Sequence, residues 1–261
     1  MKRKFLSYFY ALLIFVFLYI PIIILMIMSF NKSKYNSLPF QFSTNWYSAL
    51  FNNDRLINST INSLYIAFIT AIICIVLATA LVLGIRQCGK TLKNIANAVV
   101  ILPLTIPWII MGLSLLLFLK YLGLDKNLFM VLMGHVVISL PYAVLVIAAR
   151  MADMDKSIEE ASSSLGANEW TTFRRIIFPL ILPAILAGGF LSFMVSFDNF
   201  VISYFLMPTG TSTLPIEIYS SIKFGFTPEI NAVSTIILSF SLVIIVLIAA
   251  LMQSSLKNMF K

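Results

Sequence analysis

Charge is what this sequence has least of. Only 11% of its 261 residues are Asp, Glu, Lys or Arg, against 60% hydrophobic. Soluble domains carry about 25% charged residues, so the composition is that of a membrane protein. The chain has one histidine and two cysteines. Two thiols cannot make a zinc site by themselves, and Cys74, in an apolar run, and Cys88, in a short polar loop, are expected to be free. HExxH and GxSxG are both missing, which leaves hydrolytic chemistry without a nucleophile or a metal. The reading is therefore neither an enzyme nor a metal-binding protein. Repeats and low-complexity tails are missing too, and the longest polar segments, 31–60 and 207–231, are too short for an independent globular unit.

What is present is apolar length. Six runs, near 8–30, 61–85, 98–119, 128–149, 178–206 and 232–253, each approach the roughly 20 residues that a bilayer-crossing helix needs. The fold class expected is an all-α, multi-pass membrane domain of six transmembrane helices occupying the single domain 1–261. The basic start could be mistaken for a signal peptide, but it lacks a small-residue cleavage site and the run is long, so an uncleaved first span is expected. An even number of spans puts both termini on one side. That side collects twelve of the 18 basic residues, among them Lys2, Arg3, Lys4, Arg86, Lys90, Lys93, Arg150, Arg174 and Arg175, while the other holds six. Both termini should therefore be cytoplasmic. The net charge of +8 follows from this bias and from acidic headgroups of membrane lipid, and asks for no nucleic acid.

On the outer side, Trp46, Tyr47, Leu50 and Phe51 form an amphipathic cluster suited to the headgroup level. Residues 207–231 are punctuated by Pro208, Gly210, Pro215, Gly225 and Pro228, which predicts a shaped loop with a short helix around 216–222. Either segment suits an extracytoplasmic partner.

Gly84, Gly89, Lys90 and Thr91 satisfy the P-loop pattern. A P-loop follows a β-strand and opens a helix in an α/β domain, whereas this one follows an apolar span in a loop of about a dozen residues. A nucleotide site is rejected, and any ATP must be bound elsewhere.

The most informative stretch is polar: residues 160–179, EASSSLGANEWTTFRRIIFP, lie between two strongly apolar runs. Ser157 and Glu160 read as a capping box. Ile158, Ala161, Ser162 and Leu165 recur at helical spacing, and Gly166 supplies a left-handed stop after about two turns. Asn168 caps a second helix carrying Trp170, Phe173, Arg174 and Arg175 into Pro179 and Pro183. Glu160 has a plain role as a capping carboxylate as well.

Glu160, Ala161, Ser162, Gly166, Ile176, Phe178 and Pro179, at these spacings, resemble the EAA loop of permease subunits in binding-protein-dependent ABC importers; the family pattern has Ala where this chain has Ser162 and usually Leu where it has Phe178. The resemblance implies the type I importer fold in a bacterial plasma (inner) membrane, with a coupling loop over about 153–178. Ser157, Glu160, Ala161, Ser162, Leu165, Gly166, Ile176 and Pro179 would then couple to a separate cytoplasmic ATPase. It also implies no cofactor in this chain, since ATP and Mg are bound by that partner ATPase.

Asp198 lies inside the fifth apolar run, where a carboxylate costs roughly 2.5–3.5 kcal/mol and should face protein or water. Ser192, Ser196, Asn199 and Ser203 recur at helical spacing as a polar stripe with Asp198 at its border. The stripe either lines a path, with Asp198 attracting a cation and Phe197, Phe200 and Tyr204 offering aromatic faces, or packs against another helix. His135 is a second intramembrane candidate, or else a satisfied interhelical hydrogen bond.

SFDNFVISYF, LPIEIYSSIKFGFTPEINAVSTI and STNWYSALFNN are similar to the second permease subunit of spermidine/putrescine importers, along nearly the whole chain. That resemblance implies polyamine transport by alternating access, with a different second permease subunit as heterodimer partner, two ATPase copies and an extracytoplasmic substrate-binding protein. In that family Asp198 occupies an acidic position often followed by another acid, where this chain has Asn199. The alternatives are an importer of another small solute, such as ferric iron, thiamine or a sugar, and an ion-coupled carrier. The carrier class favours repeats, interrupted helices and several intramembrane charges.

Overall fold

The computed structural model describes residues 2–34, 37–86, 88–155, 157–225 and 228–243, with side chains from residue 6 onward. It is built almost wholly from helices. In chain order these are α1 (Lys2–Met28), α2 (Asn45–Phe51), α3 (Asp54–Arg86), α4 (Lys90–Thr105), α5 (Trp108–Tyr121) and α6 (Leu128–Ala152). Then come α7 (Ser157–Ser164), α8 (Glu169–Thr172), a π-helical turn (Phe173–Ile177), α9 (Phe178–Phe197), α10 (Phe200–Leu206), α11 (Leu214–Phe224) and α12 (Glu229–Val243). The only β-pairing among the described residues is an isolated bridge from Asn31 to Phe42.

Among the described residues, four helical stretches are long and apolar enough to cross a membrane: Leu6–Met28, Asp54–Arg86, Leu128–Ala152 and Glu169–Phe197. They match the first, second, fourth and fifth expected spans. The third, expected as one helix over 98–119, is instead α4 and α5 bent through 104°. Pro107 is the cause: the ring disfavours helical backbone at the residue before it, and Ile106 sits at φ −89, ψ 128. The Pro107 carbonyl then accepts from Ile110 and Met111 to start α5. The fifth run, expected over 178–206, also breaks, between Phe197 and Phe200. Of the sixth, 232–253, the part up to Val243 is helical in α12 and the rest lies outside the described residues.

Packing divides the chain into two compact units, Asn58–Glu217 and a second drawn from Met1–Ile57 and Ile218–Lys261. In the first unit α6 is central. It packs along α9 and also meets α4 and α10. One apolar cluster joins Cys74, Ala78 and Val82 of α3 to Val144, Ile147 and Met151 of α6 and to Ile181 and Ile185 of α9. Another joins Ile66, Leu119, Val131, Ile138, Ile202 and Leu206. Lipid tails are as apolar as leucine, so burial alone does little to pair such helices and close approach through small residues matters more. Gly188 provides it: a Cβ there would lie 3.1 Å from the Ala143 Cα.

The end of α3 nearest residue 58 is fastened to the loop before α11. Asn62 Nδ2 donates to the Ser212 carbonyl at 2.9 Å, and the Leu214 amide donates to Ser63 Oγ at 2.8 Å. Helix α11 confirms the short helix expected around 216–222. In the other unit, the amphipathic cluster expected at the headgroup level is tied down through α2. Trp46 Nε1 donates to the Asn31 carbonyl at 2.7 Å, and Tyr47 Oη pairs with Ser29 Oγ at 2.7 Å. Leu50 is buried and Phe51 exposed.

Candidate functional site

Two places gather the residues singled out by the sequence. The first is the α7–α8 hairpin. Helix α7 starts at Ser157, but its fastening is not a capping box: the Asp155 carboxylate accepts from the Ser157 amide at 2.9 Å. That bond, and a second from the Ser157 hydroxyl, hold the Asp155 carboxyl below its ordinary range. An aspartate two residues upstream competes with serine for the same orphan N–H groups.

The helix ends at Gly166, whose φ is +81. The Ala167 amide reaches back to the Ser162 carbonyl at 3.2 Å and the Gly166 amide to Ser163 at 2.9 Å, the paired bonds of a Schellman stop. Asn168 then caps α8, its Oδ1 accepting from the Thr171 amide at 2.8 Å, as its position predicted. Ser162, the departure from the family alanine, is buried and pairs with Thr172 Oγ1 at 2.8 Å. That bond ties α7 to α8 across the hairpin.

Of the four residues at helical spacing, Ser162 is buried and the other three are turned outward. Leu165 is 89% exposed and Ile158 38%, with Ser157, Glu160 and Ala161 also exposed. Ile176 is half-buried in the π-helical turn, and Pro179 stands exposed in the first turn of α9. From Glu169 to Phe197 the chain runs without a loop, so the hairpin is continuous with a long apolar helix. Arg86, at the end of α3, makes an ion pair with Glu159 of α7. Around it lies a cleft of about 790 Å³ whose lining includes Arg86, Lys93, Glu159, Glu160, Glu169 and Trp170. This tie between α3 and α7 was missed because the partners are 73 positions apart and neither belongs to a local pattern.

The second place is the break after α9. Five of the residues named for a substrate path divide here. Asp198 and Tyr204 are exposed and Phe197 is half-buried, while Ser196 and Asn199 are buried at 2% and 0%. Of the two readings of the polar stripe, a path lining and a contact with another helix, the hydrogen bonds are those of the contact: Ser192 Oγ donates to the Ser139 carbonyl at 3.1 Å, and Ser196 and Ser203 bond the imidazole of His135. The stripe packs against α6, because one ring and one carbonyl there satisfy three hydroxyls. His135 is thus an interhelical hydrogen-bonding residue, 1% exposed. Asn199 Oδ1 caps α10 by accepting from the Ile202 amide at 2.7 Å. Phe200 and Tyr204 stack at 5.2 Å between centroids on α10. Among the described residues no group of three or more His, Cys, Asp or Glu is placed to hold a metal ion.

The described residues form a helical bundle in which a capped polar hairpin is continuous with a long apolar helix. Residues 77–259 match the family described as "Binding-protein-dependent transport system inner membrane component", and the chain belongs to that family: it is a non-catalytic permease subunit of an ABC importer. Among its relatives, the spermidine/putrescine transport system permease protein PotC of Haemophilus influenzae is 38% identical over 95% of this chain and 96% of its own length. PotC of Escherichia coli strain K12 is 35% identical over 85% of this chain and 84% of its own, and the putrescine permease PotI of that strain 37% over 82% and 79%. The fold matches that of a bacterial alginate ABC transporter solved with a pentasaccharide-bound periplasmic protein. The TM-score is 0.70 at 20% identity, over 95% of this chain and 93% of that one.

Proposed function

We propose that this chain forms half of the membrane pathway of a polyamine importer, moving spermidine or putrescine inward by alternating access powered by ATP. The observation that carries this is the end-to-end likeness, at 35–38% identity, to permeases named for those substrates. The twelve-to-six bias in basic residues supports placing both termini and the α7–α8 hairpin on the cytoplasmic side. There the exposed Leu165 at the hairpin tip is the kind of apolar surface that a protein partner covers. The partners of the complete importer are a second, different permease subunit, two copies of a cytoplasmic ATPase that hold ATP and Mg, and an extracytoplasmic binding protein.

Closure of the ATPases on ATP displaces the hairpin, and the unbroken run from Glu169 carries the displacement into the membrane. Work is done only because ATP binds one state of the complex better than the other. On the pathway side, Asp198 supplies a carboxylate for an ammonium, and Phe197 and Tyr204 supply aromatic faces. Ser196 and Asn199 act from behind that face, holding the break in shape. Where the family resemblance implies a second acid, Asn199 is a neutral cap, which suits a position buried at 0% exposure, where an unpaired carboxylate is costly.

The test is uptake of labelled spermidine and putrescine into cells carrying this permease with its partner subunits, challenged by excess ferric iron, thiamine or sugar. Competition by polyamines alone supports the assignment. Uptake that polyamines do not inhibit and another solute does would replace it, and failure of an ATPase to co-purify with the chain would remove the ATP-driven mechanism.

A further inference from the structure

The interruption between α9 and α10 is spanned by one side chain. His135 of α6 has its Nδ1 2.8 Å from Ser196 Oγ, the penultimate residue of α9, and its Nε2 3.0 Å from Ser203 Oγ, in the middle of α10. Asp198 and Asn199 lie between those two anchors. In either neutral tautomer one ring nitrogen donates and the other accepts, and each hydroxyl can rotate to complement it, so both bonds form together. We propose that His135 is a positioning residue: it clamps α10 to α9 across the break and thereby fixes the direction in which Asp198 and Tyr204 face the substrate path.

Three observations carry this beyond simple burial. Contact between α6 and α10 is unusually close beside the ring, since a Cβ on the adjacent Gly134 would come within 2.7 Å of Ile202 and 2.8 Å of Leu206. Helix α10 is only seven residues long and has lost the backbone continuity that would otherwise set its bearing on α9. At the break itself, Asn199 Nδ2 is buried with no acceptor in reach among the described residues. A buried donor left without an acceptor opposes the conformation that strands it. The bend is therefore not held by its own local bonds alone, and the imidazole supplies a restraint from outside it. The role of Asp198 in this account rests on the polyamine-path reading; the clamp itself does not.

The experiment uses the assembled importer in proteoliposomes, with His135→Leu, His135→Gln and Ser203→Ala, each alone and combined with Asp198→Asn. His135→Leu removes both buried hydrogen bonds and is expected to raise KM for the polyamine about tenfold, with kcat changed less than twofold. His135→Gln, which keeps a donor and an acceptor, is expected to recover most of the loss. In the Asp198→Asn background His135→Leu should add little, because the group it positions is gone. Equal KM effects in both backgrounds, or no KM change in an assembled complex, would overturn the proposal.

Should Asp198→Asn alone leave KM unchanged, the path reading fails and the clamp is decided by amide hydrogen exchange of residues 198–207. Faster exchange in His135→Leu or Ser203→Ala supports it, and unaltered exchange in both overturns it. If His135→Leu does not assemble, the Ser203→Ala and His135→Gln pair gives the same readings.

Discussion

The ion pair between Arg86 and Glu159 is the contact whose loss should separate ATP hydrolysis from transport. It joins the end of α3 to α7, and the two side chains are 23% and 30% exposed. At an effective dielectric of about 20, a close pair of charges attracts by about 4 kcal/mol. Solvent at two partly exposed side chains, and the entropy of holding both, reduces the net worth to about 1 kcal/mol. That is about fivefold in the population with α7 tied to α3. Replacing Glu159 by Arg goes further, since it sets a second cation beside Arg86 and near Lys93 in the same cleft. In a reconstituted complex, Glu159→Arg is expected to keep ATPase activity while lowering polyamine uptake per ATP at least fivefold. The exchanged pair, Arg86→Glu with Glu159→Arg, should regain at least half of the loss. Normal coupling in Glu159→Arg, or a double variant no better than the single, would refute the claim that this pair carries motion from the hairpin into α3.

Other substitutions probe the same chain of contacts. Gly166→Ala forces an L residue to φ +81 in open space, so its cost of about 1 kcal/mol is purely conformational; uptake should fall with the protein still in the membrane. Gly123→Ala, at φ +68 in the turn after α5, carries similar strain and should lower thermal stability without changing uptake per ATP. Gly188→Ala sets a methyl 3.1 Å from backbone that cannot yield, and is expected to destabilise the α6–α9 pair by about 1–3 kcal/mol, read as a lowered melting temperature of the purified complex. Gly84→Ala, inside α3, meets nothing within 4 Å and should instead stabilise by up to about 1 kcal/mol, the comparison that isolates the steric cost at Gly188. The Asp155 carboxyl is held below its ordinary range, so its contribution is present above the unfolded pKa and is lost as pH falls through the lowered folded one. Hairpin protection in hydrogen exchange should accordingly be flat between pH 6 and 8, and should fall at those pH values in Asp155→Ala.

Interrupted helices, taken from the sequence as a mark of ion-coupled carriers, turn out to be present twice in this permease, at Ile106–Pro107 and at Asp198–Asn199. The feature belongs to the problem of exposing polar groups inside an apolar bundle rather than to one transport class. Family membership, and not helix continuity, separates the two readings here.

Composition and local pattern by themselves determined a great deal. The scarcity of charge fixed the membrane class, the apolar runs placed the long helices, and Gly166 and Asn168 marked the hairpin's stop and restart because each acts within a few residues of its own backbone. Even the break at Pro107 has a local cause that hydropathy averages over, since one proline among Ile, Leu and Trp barely lowers the mean of a long window. Tertiary structure alone decided the rest. Whether Ser196 meets substrate or His135 depends on which helix lies opposite, 61 residues away in the chain. Whether Glu159 stands free or grips Arg86 depends on where α3 ends in space. A side chain's type declares what it can bond, but in a bundle the partner is chosen by helix packing, and that choice turned a polar stripe into a clasp and left Asp198 exposed beside it.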